Sequence, residues 1–240
     1  MRYKIELAYV GEGFNGWQKQ PNAPTVQNTL EDAFMLLFNE SVDIVGCGRT
    51  DTGVHAKYYV AHFDSDHEFD LISVDKLNRY LPKTVVIKSM QKTSDDFHAR
   101  FDAKNRTYKY IITTKKNPFM ISFSWYIPYG LDMESMKKAA LKLYEYDDFT
   151  SFSKLHTDVK TNNCKIINLN IEEKDSLIIF TITADRFLRN MVRAIVGTLV
   201  NVGKGKINIE DFCTIIENKN RGDAGQSAPA KALFLTDVTY

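Results

Sequence analysis

"SVDIVGCGRTDTGVHAKYYVAHFDS", residues 41–65, decides how this chain folds. Val42, Ile44 and Val45 lead into it, and Tyr58, Tyr59, Val60 and Phe63 lead out of it. Such β-branched and aromatic runs read as strands. Between them Gly46 to Ala56 holds three glycines (Gly46, Gly48, Gly53), two threonines (Thr50, Thr52) and one carboxylate, Asp51. Glycines in that density punctuate the chain, so the segment carrying Asp51 is a loop joining two strands.

The same reading extends in both directions. Tyr3, Ile5, Leu7 and Tyr9 alternate with polar residues as in a half-buried strand. "GEGFNGWQKQPNAP", 11–24, is rich in turn residues, and Thr25 is placed to cap a helix with Val26, Leu30, Ala33, Phe34 and Leu37 on one face. Downstream, "SVDKLNRYLP", 73–82, predicts a short helix ending at Pro82, and "TVVIKSMQK", 84–92, a strand. "RTYKYIITT", 106–114, alternates again, with Tyr108, Tyr110 and Ile112 on one face. A helix over 132–146 precedes two strands, 164–173 and 176–184, joined by a turn at Lys174–Asp175. "FLRNMVRAIVGTLVNVG", 187–203, predicts an amphipathic helix stopped by Gly203; a helix near 208–217 and a strand over 232–240 follow. The order predicts an α+β fold of two similarly built halves sharing an extended, mainly antiparallel sheet, with helices packed on it and a central active-site cleft. The halves are expected at 1–103, carrying the Asp51 loop, and 104–240, carrying Tyr108 and the arginine-bearing helix.

Composition narrows the class. With 240 residues, 44% apolar and 25% charged, the chain is an ordinary globular protein and not a disordered tail. No apolar run reaches the length of a membrane span, and "MRYKIELAYV" alternates instead of forming a signal-peptide core, which points to the cytoplasm. Three cysteines without a CxxC pair support neither a disulfide framework nor a zinc knuckle. The net charge is only +1, but residues 76–116 hold eleven Lys/Arg against three Asp/Glu, and 186–206 hold five against none. Two basic segments in a near-neutral chain suit a one-sided electrostatic footprint, although such runs are more commonly solvated surface.

Four readings compete for the loop. A phosphate cradle lacks the terminal Lys-Ser/Thr and leads into a strand instead of a helix. A metal site of Asp51, His55 and His98 has no supporting acidic cluster. An Asx-type turn would employ Asp51 only to satisfy loop N–H groups. A lone catalytic carboxylate requires a nearby cation that favours its charged form and small neighbours that admit a planar substrate. The last two are level on this segment alone. "FHARFDAKNRTYKY", 97–110, tips the balance: His98, Arg100 and Arg106 are interleaved with Phe101 and Tyr108, as suits flat bases and phosphates. In the helix at 187–203, Arg189 and Arg193 are four apart on one face, and Arg193 is expected to pair with Asp51 across the cleft. A surface pairing of Arg193 with some other acid is the blander alternative.

These residues resemble the TruA-type tRNA pseudouridine synthases. "GRTDTGVHA" is similar to the family's catalytic segment. The likeness continues in "GFNGWQKQP" and "TVQNTLE" within 13–31, "NRYLP", "FHARFDA", "RTYKY", "FLRNMVRAIVGTLVNVGKGK" and "APAKALFL". The resemblance implies isomerisation of uridine to pseudouridine at positions 38, 39 and 40 of the tRNA anticodon stem-loop, by homodimers, without cofactor or metal. It implies Asp51 as the catalytic aspartate and Arg193 as its basic partner. Tyr108 corresponds to the ring that stacks on the uracil, and Arg49 to the arginine that holds the flipped nucleotide. Arg106, Arg189, Arg100 and His55 complete the expected substrate-facing set, with packing the favoured alternative for His55, His98, Trp17 and Cys47. Cys47, Thr52, Val10, Asn190 and Ala232 depart from the family's usual residues, and all but the first two concern RNA contacts. A competing function is an RNA-binding module without turnover; a metal-dependent nuclease is a third.

Overall fold

A computed structural model describes residues 1–154 and 161–240. Its strands and helices, in chain order, are β1 (Arg2–Tyr9), α1 (Val26–Phe38), β2 (Val45–Gly46), β3 (His55–Asp64), α2 (Leu71–Tyr80), β4 (Val85–Lys92), β5 (Asn105–Thr113), β6 (Trp125–Tyr126), α3 (Met133–Lys142), β7 (Ile166–Lys174), β8 (Leu177–Ala184), α4 (Met191–Gly203), α5 (Ile209–Glu217) and β9 (Leu233–Thr239). The strands are mostly antiparallel and the fold is α+β, as expected. The chain divides into two compact units, Met1–Lys104 with Phe234–Tyr240, and Asn105–Leu233.

In the first unit the strand order is β4-β1-β3-β9, with the short β2 also on β3. β1 lies antiparallel to both β3 and β4, while β9 begins parallel to β3 through His55↔Phe234 and Ala56↔Leu235. Tyr3, Ile5, Leu7 and Tyr9 are buried on one face, as their alternation demands. Phe63 stacks on Tyr3 at 5.4 Å and meets Phe34 of α1 at 4.9 Å, so the helix is fastened to the sheet through rings. Truncating such a ring to alanine costs about 3–5 kcal/mol. Thr25 caps α1 by accepting from Asn28 N at 3.3 Å. α2 begins two residues earlier than its apolar pattern suggests, because Asp70 and Ser73 form a reciprocal capping box.

In the second unit β8 lies between β5 and β7, both antiparallel to it, and β6 adds parallel to β5. Asp175 (φ 51°) and Ser176 (φ 67°) form the two-residue turn of the β7–β8 hairpin, both left-handed as a type I′ turn requires. α4 is buried nearly all round and packs against α3 and α5, which explains why its sequence is mostly apolar, with Arg193, Thr198 and Asn201 as the exceptions. Its limits correct the sequence reading. Asn190 has φ 69°, which no α-helix accommodates, so the helix starts at Met191 and Phe187, Leu188 and Arg189 precede it. Gly203 is its last residue but not the left-handed stop: Lys204 caps the helix, and the residue that turns left-handed is Gly205 at φ 65°. Gly203 serves packing instead: a Cβ there would lie 2.7 Å from Met136 Sδ of α3.

Candidate active site

Asp51 opens a tight turn at the entrance to β3. Its backbone carbonyl accepts from Val54 N at 3.1 Å, and Gly53 adopts φ 78°. A positive φ at the third residue is the mark of a type II turn, where glycine avoids a steric cost. The Asp51 side chain is half-buried and Arg49 is exposed. The walls are aromatic: Tyr9 Oη and Thr50 Oγ1 are 2.8 Å apart, Trp17 stacks on Tyr59 at 4.1 Å, and the Tyr59 hydroxyl donates to Gly48 O. A Cβ on Gly46 would run into Tyr59 Oη and Trp17 Nε1, so that glycine is required by close packing. Cys47 is buried, as befits a packing thiol.

His55 is buried at 1% exposure, its ring stacked on Phe234 at 4.7 Å. Its Nδ1 accepts from Gly11 N at 2.9 Å. An accepting Nδ1 bears no proton. Arg100 and His98 lie in a separate turn of the same unit. His98 Nδ1 accepts from the backbone N of Arg100 and Phe101, and the Arg100 guanidinium sits 5.7 Å from the centre of the exposed Phe101 ring. Among the described residues no group of three or more His, Cys, Asp or Glu is gathered to hold a metal, so the trio Asp51, His55 and His98 is not assembled as a metal site.

In the second unit Arg106 and Tyr108 are two apart on β5 and share a face. Arg106 Nη1 donates to Asp185 O at 2.9 Å, and the half-buried Tyr108 ring meets Phe187 edge-on at 5.1 Å. Arg193 is half-buried on α4 and is clasped by the segment after α5: its Nε donates to Ala228 O at 2.7 Å, and Ala228 N donates to Arg193 O at 3.0 Å. Next to that clasp, the Tyr110 hydroxyl donates to Pro229 O at 3.0 Å. Burial pushes the Tyr110 hydroxyl pKa up, and the nearby Arg193 charge opposes this. Arg189 is exposed and lies outside α4, so it does not share a helical face with Arg193. The left-handed Asn190 between them breaks the periodicity on which that expectation stood.

Two supports were not legible as such in the sequence. One is the stretch from Gly11 to Gln18, which appears there only as turn residues yet makes several backbone contacts to the Asp51 turn. The other is Gln226–Pro229, which lies along α4 closely enough that a Cβ on Gly197 would strike Gln226 O. The glycines were the available signal, but only folded neighbours reveal what each accommodates.

A family model described as tRNA pseudouridine synthase matches residues 7–102 and 139–240. The chain is 53% identical to a tRNA pseudouridine synthase A of Parabacteroides distasonis, over 100% of this chain and 96% of that one. It is 51% identical to the Bacteroides thetaiotaomicron protein of that name, over 100% and 90%, and 42% identical to that of Acetivibrio thermocellus, over 99% and 98%. A chain in the crystal structure of a Cbf5-Nop10-Gar1 complex overlays 98% of this chain and 58% of its own at a TM-score of 0.40 and 9% identity, too slight a likeness to bear on function. With the model matching both ends of the sequence and relatives aligned along its whole length, the chain belongs to the tRNA pseudouridine synthase family.

Proposed function

We propose that this protein is an isomerase that converts uridine to pseudouridine at positions 38, 39 and 40 of the tRNA anticodon stem-loop, working as a cytoplasmic homodimer. The observation that carries the reading is the family match running through the Arg49–Asp51 segment. It is supported by the geometry of that segment, a carboxylate on a glycine turn with compact neighbours.

The reaction breaks the N1–C1′ bond of the nucleoside and joins C5 to C1′; C5 gives up its hydrogen as a proton to solvent and N1 takes one up, so the formula is unchanged and no electrons are gained or lost. Asp51 is the carboxylate that reacts, and Arg193 is its basic partner. A uracil must first leave its stack, at a cost of a few kcal/mol, which contacts from Arg49 and phosphate-binding basic residues offset. Tyr108 stacks on the extracted ring, worth about 1–3 kcal/mol, and keeps it in register while it turns. Arg100, Arg106 and Arg189 belong to the RNA-facing set through their charge, and His55 to the loop's support.

The test is tritium release from 5-tritiated uridine in unmodified tRNA transcripts. Wild type should release tritium while Asp51→Asn does not, with tRNA binding retained. An RNA-binding module without turnover would give no release from wild type on a full set of transcripts, and that result would overturn the proposal.

A further inference from the structure

The stretch Gly11–Gln18 lies against the Asp51 turn and is stitched to it at successive points. Gly11 N donates to His55 Nδ1 at 2.9 Å, Gly53 N to Phe14 O at 3.3 Å, and Trp17 N to Thr50 O at 3.3 Å. The approach is as close as backbones allow: a Cβ on Gly11 would strike Val54 O, and one on Gly16 (φ 89°) would strike Thr50 O. The far end is tied to α1. Val26 N donates to Gly16 O at 3.2 Å and Gln27 N to Trp17 O at 3.1 Å. Gln27 Oε1 accepts from Lys19 N and Gln18 Nε2, and Gln27 Nε2 donates to Glu31 Oε1 at 2.8 Å. Glu31 is buried at 8% exposure and also accepts from Ile44 N and Lys19 Nζ.

A carboxylate buried in this way is expensive unless its oxygens are satisfied, and here three donors converge on it. One of them, Ile44 N, belongs to the strand approach to the Asp51 loop; the others hold the stretch that crosses it. Neither His55 nor Glu31 contacts solvent to any extent that would suit a substrate contact. We infer that Gly11–Gln18 is a positioning strap for the Asp51 turn, with His55 and the Gln27–Glu31 pair as its two anchors. The inference rests on Asp51 being the reacting carboxylate. Reacting groups tolerate little displacement, about 1 Å costing roughly a hundredfold in rate, so a loosened strap lowers kcat while leaving RNA affinity nearly intact.

The experiment combines amide hydrogen exchange over residues 11–18 and 50–55 with single-turnover tritium release and tRNA-transcript binding, on the full chain. His55→Leu and Glu31→Leu remove the anchors. His55→Asn keeps an acceptor near the Nδ1 position. Lys19→Met removes only an exposed donor to Glu31, so it folds even where the others do not. Val74→Ala, in the buried face of α2, is the control for general loss of stability. Expected are exchange about tenfold faster in both segments and a rate about ten- to a hundredfold lower in the two leucine variants, with Kd within about threefold. His55→Asn should recover most of both, Lys19→Met should show a smaller loss of the same kind, and Val74→Ala should show neither. Unchanged exchange in the anchor variants, or an equal rate loss in Val74→Ala, overturns the strap. Should Asp51→Asn release tritium normally, the isomerase chemistry assigned to it fails, while the exchange measurement still decides whether the strap exists.

Discussion

Tyr108 stands half-buried on β5 with its ring perpendicular to that of Phe187, leaving its role to the ring or to the hydroxyl. If stacking is the role, Tyr108→Phe retains substantial turnover, whereas Tyr108→Ala loses about 1–3 kcal/mol of base contact, roughly five- to a hundredfold in rate. A phenylalanine variant as inactive as Asp51→Ala would assign the work to the hydroxyl instead. His62 carries a second prediction at this scale. Burial lowers its pKa to about 4 from the ordinary 6.5, helped by the neighbouring His98 and by Arg2 and opposed by Asp64 and Asp102. Its Nδ1 accepts from Ala99 N at 3.1 Å, so a proton there would displace a backbone hydrogen bond. The unfolded chain takes up that proton at higher pH than the folded one. The contribution to stability is therefore complete above about pH 6.5 and is lost as pH falls toward 4. Thermal melts across this range should fall less steeply for His62→Asn than for wild type; parallel curves would refute the assignment.

At the scale of elements, α4 and the Gln226–Pro229 segment act as one piece. Asn190 Nδ2 donates to Ser227 Oγ at 2.7 Å, Gly225 N to Thr198 Oγ1 at 2.9 Å, and Arg193 is clasped through Ala228. Gly197 sits where Gln226 O leaves no room for a side chain. By helix propensity alone, Gly197→Ala would stabilise α4 by about 1 kcal/mol. The added methyl would meet Gln226 O, a backbone atom with no rotamer to yield, and overpacking of this kind costs about 1–3 kcal/mol. Steric conflict wins, so Gly197→Ala should melt a few degrees below wild type, by calorimetry, and lose activity through the displaced clasp on Arg193. A variant that melts higher would show that the segment yields freely.

For the whole molecule, near-neutral net charge coexists with local basic segments, and affinity for tRNA is expected to depend on them. If about five phosphates are neutralised, binding weakens by roughly a hundred- to five-hundredfold between ~50 and ~200 mM salt. Filter binding of an unmodified transcript across that range measures it, and a flat response would contradict phosphate contacts as the source of affinity.

How far the sequence alone reaches is visible in particular segments. The alternation of β1, the apolar face and Thr25 cap of α1, the β7–β8 hairpin and the glycine turn of Asp51 are all legible, because consecutive residues encode them through side-chain period and local φ preference. The motif around Asp51 likewise carries the family likeness without coordinates. The start of α4, the exclusion of Arg189 from it and the burial of His55 are not legible in the same way. Asn190 takes a left-handed conformation with its side chain held by Ser227, 37 residues on, and His55 takes its place from Gly11 and Phe234. Periodicity is a property of neighbours in the chain. The backbone turns and close approaches that aim a catalytic group depend on residues that become neighbours only after folding, and tertiary structure alone decides them.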